Sequence, residues 1–147
     1  MNILHNVSDA CINISYAEGF GLATLEAMQC GNPIIAVKTG GLTRQVVDHR
    51  DGSENGVALD IDLRSLVGSQ SVPYIFEDYV SSENVANAFM KLFEMTAEER
   101  LALGAKARAY VQSEFSYDDM IQKWDETLTE LTENWKTRYT RWSFKEI

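Results

Sequence analysis

Apolar residues follow two rhythms along this chain. Up to residue 60 they come as short unbroken runs separated by glycines; beyond residue 83 they recur at steps of three and four. The run at 10–15 predicts a strand, followed by a glycine-broken turn and a helix over 21–29 that stops at Gly31. Pro33 opens a second buried strand through Val37, Gly40 and Gly41 turn the chain, residues 43–48 predict a short helix, and 56–60 a third strand. Apolar strands alternating with helices of this length form right-handed parallel crossovers, so the expected fold is α/β, a three-layer parallel sheet flanked by helices.

The pattern loosens beyond Ile61. Residues 63–82 are rich in Ser, Gly and turn formers and predict no regular element except an extended stretch at 72–76. Helices resume over 83–95 and again from Thr96, which stands at capping-box spacing from Glu99. Ser116 opens the last helix. Its apolar positions Met120, Ile121, Trp124, Leu128, Leu131 and Trp135 lie on one face, and the two tryptophans, with Met120 beside them as filler, read as core. The helical C-terminus is therefore long.

Composition narrows the function classes. With 147 residues, 45% of them hydrophobic and 24% charged, the chain has the make-up of a soluble domain with a real core. A net charge of −9 argues against nucleic acid or an anionic membrane as the main partner, so any phosphate site must be local. Residues 1–8 carry no basic segment followed by an apolar run, which predicts a cytoplasmic protein, and no run approaches the roughly 18 apolar residues of a transmembrane span. Cys11 and Cys30 lie in apolar surroundings and read as reduced thiols; with His5 and His49 the only histidines, no metal-ligand spacing is present.

The candidate chemistry lies in the stretch from Ser15 through Glu18, Gly19, Phe20, Gly21, Leu22 and Glu26 to Ala36. Glycines on both sides of Phe20 let the backbone turn sharply out of a strand. The helix that follows starts with free N–H groups at the carboxyl end of the sheet, where its partial positive charge favours a phosphate. Glu18 in the turn and Glu26 in the helix are two carboxylates suited to accept hydrogen bonds from a vicinal diol of a ribose or a sugar ring. Spacing alone leaves a second reading open, in which Glu26 is an ordinary helix-surface charge and Gly-Phe-Gly only a turn.

These residues resemble the signature of retaining glycosyltransferases of the GT-B fold, the large group 1 family that includes mannosyl-, glucosyl- and sucrose-related transferases. Glu18 and Glu26, separated by seven residues, match its paired glutamates. The match continues through Glu26-Ala-Met, Gly31-Asn-Pro-Ile-Ile-Ala and the Gly40-Gly41 turn, then more loosely through Gly104 and Glu114-Phe115-Ser116. The resemblance implies a Rossmann-like donor-binding half of such an enzyme, with residues 1–115 as a partial nucleotide-sugar-binding domain and 116–147 as a helix and tail that dock on another domain. It casts Glu18 as the catalytic-site carboxylate at the donor sugar and Glu26 as the ribose anchor. Gly19, Phe20, Gly21 and Leu22 become the turn whose N–H groups meet sugar and diphosphate. It further implies transfer of a hexose from a UDP- or GDP-hexose to a carbohydrate or other acceptor, with retention and with neither cofactor nor metal ion.

Departures from the family pattern qualify this. Arg44 stands where relatives carry an acidic residue, and 63–82 is longer than the usual connection. The resemblance also implies that the chain starts at about the fourth strand of the donor domain, without the upstream Arg and Lys that hold the diphosphate. A helix end contributes about 0.3–1 kcal/mol, ~2 when partly buried, against roughly 1.5–3 kcal/mol for each lost charged hydrogen bond. The isolated chain is thus expected to bind donor at least about a hundredfold more weakly than a complete enzyme and to be a poor catalyst. An open sheet edge at 10–15 predicts self-association or a separately encoded N-terminal partner. The alternative function is a non-catalytic binding module that has kept the fold. Asp60-Ile-Asp62 imitates an Asp-any-Asp metal motif but reads as a solvated loop. The basic, aromatic tail 135–147, net +3, reads as an interdomain contact.

Overall fold

A computed structural model describes residues 2–138 and 144–145. The chain forms two compact units, Met1–Glu114 and Phe115–Ile147.

The first unit is built on three parallel strands, β1 (Cys11–Asn13), β2 (Ile34–Val37) and β3 (Val57–Leu59), in the order β1-β2-β3. Cys11 pairs with Ile34 and Ile35 with Val57. All four residues of β2 are fully buried, as an unbroken apolar run in a central strand covered on both faces demands. Helix α2 (Leu22–Gln29) carries the chain from β1 to β2, and α3 (Gly40–Val46) lies between β2 and β3. On one side Ile35, Val37, Val57 and Leu59 form a core with Ala88 and Leu92 of α4 (Ser82–Glu94). Elsewhere α2 packs on α5 (Ala97–Glu114). That contact is close because both sides are glycine: a Cβ on Gly104 would lie 1.9 Å from the carbonyl oxygen of Gly31. Gly31 itself has φ +80, the left-handed conformation that ends a helix at low cost, and the next N–H, of Asn32, reaches back 3.0 Å to Ala27 O.

The helix starts follow their polar signals. Ser81 Oγ accepts from Asn84 N at 3.2 Å. Thr96 and Glu99 form the reciprocal box, with Thr96 N donating to Glu99 Oε2 at 2.7 Å and Glu99 N to Thr96 Oγ1 at 3.2 Å.

Four expectations change. The first strand spans three residues instead of six, because Asn13 Oδ1 draws Ser15 N and Ser15 Oγ to itself and turns the chain. Helix α3 starts at the glycine pair, three residues before 43. Residues 63–82 hold a hairpin of β4 (Leu63–Leu66) and β5 (Phe76–Tyr79), paired antiparallel from Leu63↔Tyr79 to Leu66↔Phe76. Val72 to Ile75 belong to its connecting loop, where Tyr74 adopts φ 64, so of the expected extended stretch 72–76 only Phe76 lies in a strand. A helix absent from the sequence reading, α1 (Asn2–Val7), precedes the sheet and packs on α2.

The second unit holds α6 (Tyr117–Arg138), which starts at Ser116, whose Oγ accepts from Asp119 N at 3.2 Å. None of its residues is buried. Trp124, Trp135 and Met120 are therefore not core: they are 60%, 49% and 45% exposed. Of the basic tail, residues 139–143 and 146–147 lie outside the described residues. Cys11 and Cys30 are free, half-buried thiols, and burial pushes the Cys11 thiol up. Among the described residues no helix is long and apolar enough to cross a membrane.

Candidate functional site

Two loops leave the carboxyl end of the sheet and lock against each other. After β1 the chain runs through Glu18 and Gly19-Phe20-Gly21 into α2; after β2 it runs through Thr39 into Gly40-Gly41 and α3. Gly41 N donates to Glu18 O at 3.1 Å. A Cβ on Gly40 would sit 2.0 Å from Glu18 O, and one on Gly41 would sit 2.6 Å from the Phe20 Cα. Both contacts are backbone to backbone, so neither position accepts a side chain without parting the loops. The fully buried Gln45 of α3 adds a third tie, its Nε2 donating to Phe20 O at 2.6 Å.

The glycines of the first turn have different reasons. Gly21 is the N-cap of α2 at φ +90, and a Cβ there would strike the Leu42 side chain at 2.5 Å. Around Gly19 nothing lies within 4 Å, so no protein contact requires glycine there. No side chain caps α2. Its first N–H groups, from Leu22 onward, have no intrahelical acceptor, and they carry the positive end of the helix dipole to the mouth of the sheet.

The surrounding polar groups hold this turn in place. Asn13 at the end of β1 donates from Nδ2 to Thr24 Oγ1 in the first turn of α2 at 3.2 Å. The hairpin braces the other side: Asp78 N donates to Tyr16 O at 2.7 Å, and the Tyr16 and Tyr79 rings lie 4.5 Å apart. Tyr16 lies against the hairpin through that ring contact and remains 54% exposed. Asp78, 5% exposed, accepts from Thr39 Oγ1 at 2.7 Å and from Arg64 at 2.5 and 3.0 Å. The Arg64 guanidinium, with Thr39 adding to it, holds the Asp78 carboxyl below the usual carboxylate range against the opposing effect of burial.

Of the residues predicted for the site, Glu18, Gly19, Phe20, Gly21 and Leu22 form one turn, with Glu18 half-buried and Phe20 and Leu22 exposed. Glu26 stands off that turn, in the second turn of α2. Its Oε2 lies 3.7 Å from Nε2 of His5, a histidine 8% exposed whose Nε2 has no hydrogen-bond partner. Asn32 Nδ2 ties the His5 backbone oxygen at 2.6 Å. His5, Asn13, Gln45 and Asp78 were not singled out in the sequence. Their signal, polar side chains inside apolar surroundings, becomes readable only once burial is known.

Other charged side chains, Lys38 and Arg44 among them, are engaged in pairs. Lys38 Nζ pairs with Asp60 at 2.7 Å. Asp62 accepts from Ser81 N at 2.6 Å and from Asn84, so the two carboxylates of Asp60-Ile-Asp62 serve separate structural contacts. Arg44 pairs with Glu114, which also accepts from His49 at 3.0 Å; these two partners, His49 first, hold Glu114 below the usual carboxylate range. Among the described residues no group of three acidic, His or Cys side chains could hold a metal ion.

Comparison with known proteins agrees with this geometry. The family profile described as "Glycosyl transferases group 1" matches residues 1–61. A D-inositol 3-phosphate glycosyltransferase of Arthrobacter sp. (strain FB24) is 47% identical over 45 residues, 31% of this chain and 11% of that protein. The enzyme of the same name from Corynebacterium jeikeium (strain K411) is 34% identical over 104 residues, 62% of this chain and 24% of that protein. The chain therefore spans a minor part of the length of its curated relatives. Among solved structures, sucrose-phosphate synthase from Thermosynechococcus elongatus superposes with a TM-score of 0.68 at 24% identity, covering 89% of this chain and 27% of that one. Anabaena HepE in complex with UDP-glucose superposes with a TM-score of 0.63 at 26% identity, covering 87% and 29%. The fold is that of the GT-B glycosyltransferases, and residues 1–61 carry a group 1 glycosyltransferase segment.

Proposed function

We propose that this group 1 glycosyltransferase segment binds the donor of a hexosyl transfer, a nucleotide diphosphate sugar, at the turn between β1 and α2, for a reaction that retains anomeric configuration. The observation that carries the proposal is the uncapped start of α2 behind a turn fixed by backbone-to-backbone contact with Gly40-Gly41. Such a turn offers oriented N–H groups that cost no reorganisation when an anion arrives. The diphosphate sits over Phe20, Gly21 and Leu22, and the open space around Gly19 admits the sugar. Glu18, half-buried in the same turn, orients the sugar and offsets positive charge that develops at its anomeric carbon. Glu26, with a side chain about half exposed and His5 behind it, accepts hydrogen bonds from the ribose diol. The Anabaena structure with the same fold holds UDP-glucose, which supports a nucleotide sugar as the ligand class. The helix end stands in for a metal ion at the phosphates, so donor binding is expected to persist in the presence of a chelator.

The test is an NMR titration of the chain with UDP-glucose and with GDP-mannose, beside Glu26→Ala. Saturable shifts centred on residues 18–26 are expected, with affinity reduced about ten- to a hundredfold by the substitution, the equivalent of a charged hydrogen bond worth roughly 1.5–3 kcal/mol. Shifts confined to another part of the folded chain, or none at millimolar donor, would overturn the proposal.

A further inference from the structure

Among the described residues three buried side-chain atoms lack a hydrogen-bond partner: His5 Nε2, Gln45 Oε1 and Asn55 Oδ1. The two amides are half satisfied, since Gln45 Nε2 donates to Phe20 O and Asn55 Nδ2 to Gln45 O. His5 is different. It is 8% exposed, and its Nε2 faces a carboxylate, Glu26 Oε2, at 3.7 Å. A nitrogen buried without a partner weakens the fold, and this one stops about 0.5 Å beyond hydrogen-bond reach of an acceptor that would satisfy it. The histidine is the fixed member of the pair. Asn32, 8% exposed in the turn that ends α2, donates from Nδ2 to His5 O at 2.6 Å, and Ser8 Oγ donates to Leu4 O at 2.7 Å and closes the last turn of α1. α1 packs on α2, so imidazole and carboxylate are carried by one packed pair of helices. The Glu26 side chain is the movable member: it is 48% exposed, and among the described residues its carboxylate has no partner but His5.

We propose that His5 is a positioning residue for Glu26: with a proton on Nε2 it donates to one carboxylate oxygen when a ribonucleotide binds, and so sets the plane in which Glu26 accepts both hydroxyls of the ribose diol. The inference rests on the reading of Glu26 as the ribose anchor. The open 3.7 Å pair is the resting arrangement, and nucleotide binding closes it. A carboxylate offers two oxygens and about four lone-pair sites, so a bond to His5 leaves room for two hydroxyls. A free glutamate side chain gives up rotamer freedom to hold both at once, and one steered by a fixed imidazole gives up less. The help is greatest for a ligand that presents both hydroxyls, because a single hydroxyl is met by a carboxylate in many orientations. His5 therefore acts on the choice between a ribonucleoside diphosphate and its 2′-deoxy counterpart.

Affinities of the whole chain for UDP and for 2′-deoxy-UDP, measured by NMR titration, test this. Wild type is expected to bind UDP about tenfold more tightly, the scale of one charged hydrogen bond. His5→Phe, close in size and without a polar atom, is expected to narrow that ratio to about threefold or less. Phenylalanine also removes the unpartnered nitrogen, so the denaturation midpoint of the same variant should hold or rise. Discrimination that falls while stability does not is a signature that a merely structural histidine lacks. His5→Gln, whose amide nitrogen donates from a similar position, is expected to restore the ratio. Wild type supplies a check that depends on no variant: the His5 Nε2 resonance is expected to move on saturation with UDP. An unmoved resonance overturns the proposal, as does a ratio in His5→Phe equal to that of wild type. Glu26→Ala separates the two readings. If it narrows the ratio and His5→Phe does not, only the role of His5 falls; if it leaves the ratio unchanged, the ribose reading falls and this inference with it.

Discussion

Helices α5 and α6 follow each other in the chain, are both long, and both start at a hydroxyl cap, yet their apolar residues meet different fates. α5 buries Gly104, Ala107, Tyr110 and Val111. α6 buries nothing and leaves two tryptophans about half exposed. The difference lies in what faces the polypeptide nearby. The buried face of α5 is small only at Gly104 and Ala107, which lets its backbone come within touching distance of the turn after α2, and farther along Tyr110 OH donates to Arg44 O at 2.6 Å. The stripe of α6 is made of large residues, Trp124, Leu128, Leu131 and Trp135 among them. Amphipathic periodicity says that a face wants cover; the size of its side chains limits how near that cover can come.

Substitutions in the two helices sharpen this contrast. Gly104→Ala is expected to do the most damage, because its new Cβ collides with the Gly31 backbone and not with a side chain that can swing away. The cost should be about 3 kcal/mol, the upper end for overpacking, and should outweigh the roughly 1 kcal/mol that alanine gains in helix propensity. Chemical denaturation measures it, and a midpoint equal to wild type would mean that the α2–α5 contact is looser than its glycines imply. Tyr110→Phe removes one hydrogen bond and leaves the Arg44 carbonyl without that donor, for an expected loss of about 1 kcal/mol in the same assay.

Acid should act on the first unit through named carboxylates. Asp48, which accepts from the Arg50 guanidinium and from its backbone N–H, has its pKa lowered to about 2, and Glu114 is lowered by His49 and Arg44. Groups depressed in the folded state stabilise it fully above the unfolded carboxyl value of about 4, and that contribution disappears as pH falls through the folded value. Stability is therefore expected to decline between about pH 4 and pH 2, and Asp48→Asn to flatten the slope of denaturation midpoint against pH in that window. A slope unchanged by the substitution would remove Asp48 from this account. The smallest effect belongs to an exposed side chain of α6: Glu126→Gln should shift the unfolding midpoint of the chain by less than about 0.5 kcal/mol, and a larger loss in chemical denaturation would show that its carboxylate has a partner in solution beyond Gln122.

The parts of the fold that could be read from sequence are those whose signal is local. Buried runs such as 34–37, the glycine that ends α2, and the hydroxyls before α4, α5 and α6 each specify their element within a turn of chain. The turn from Glu18 to Leu22 was legible for the same reason, since its glycines sit within three residues of each other. The hairpin was not. Its strands, LRSL and FEDY, are half polar without a clean alternation of burial, and they are held by distant partners, Asp78 joining Arg64, Thr39 and the Tyr16 backbone. Helix α1 is not legible along the chain, because six residues with no acidic group in the first turn are too few to show a period.

Sequence by itself determined the alternation of strand and helix, the turn at the sheet mouth and the caps, because glycine, hydroxyl and apolar-run signals act through the backbone nearest to them. Tertiary structure alone decided that Gly40-Gly41 clamps the Glu18 turn, that His5 stands behind Glu26 21 residues away, and that Gly104 of α5 comes to rest against Gly31. Those outcomes depend on which surfaces meet after the chain has folded back on itself, and contact across the chain leaves no periodicity along it.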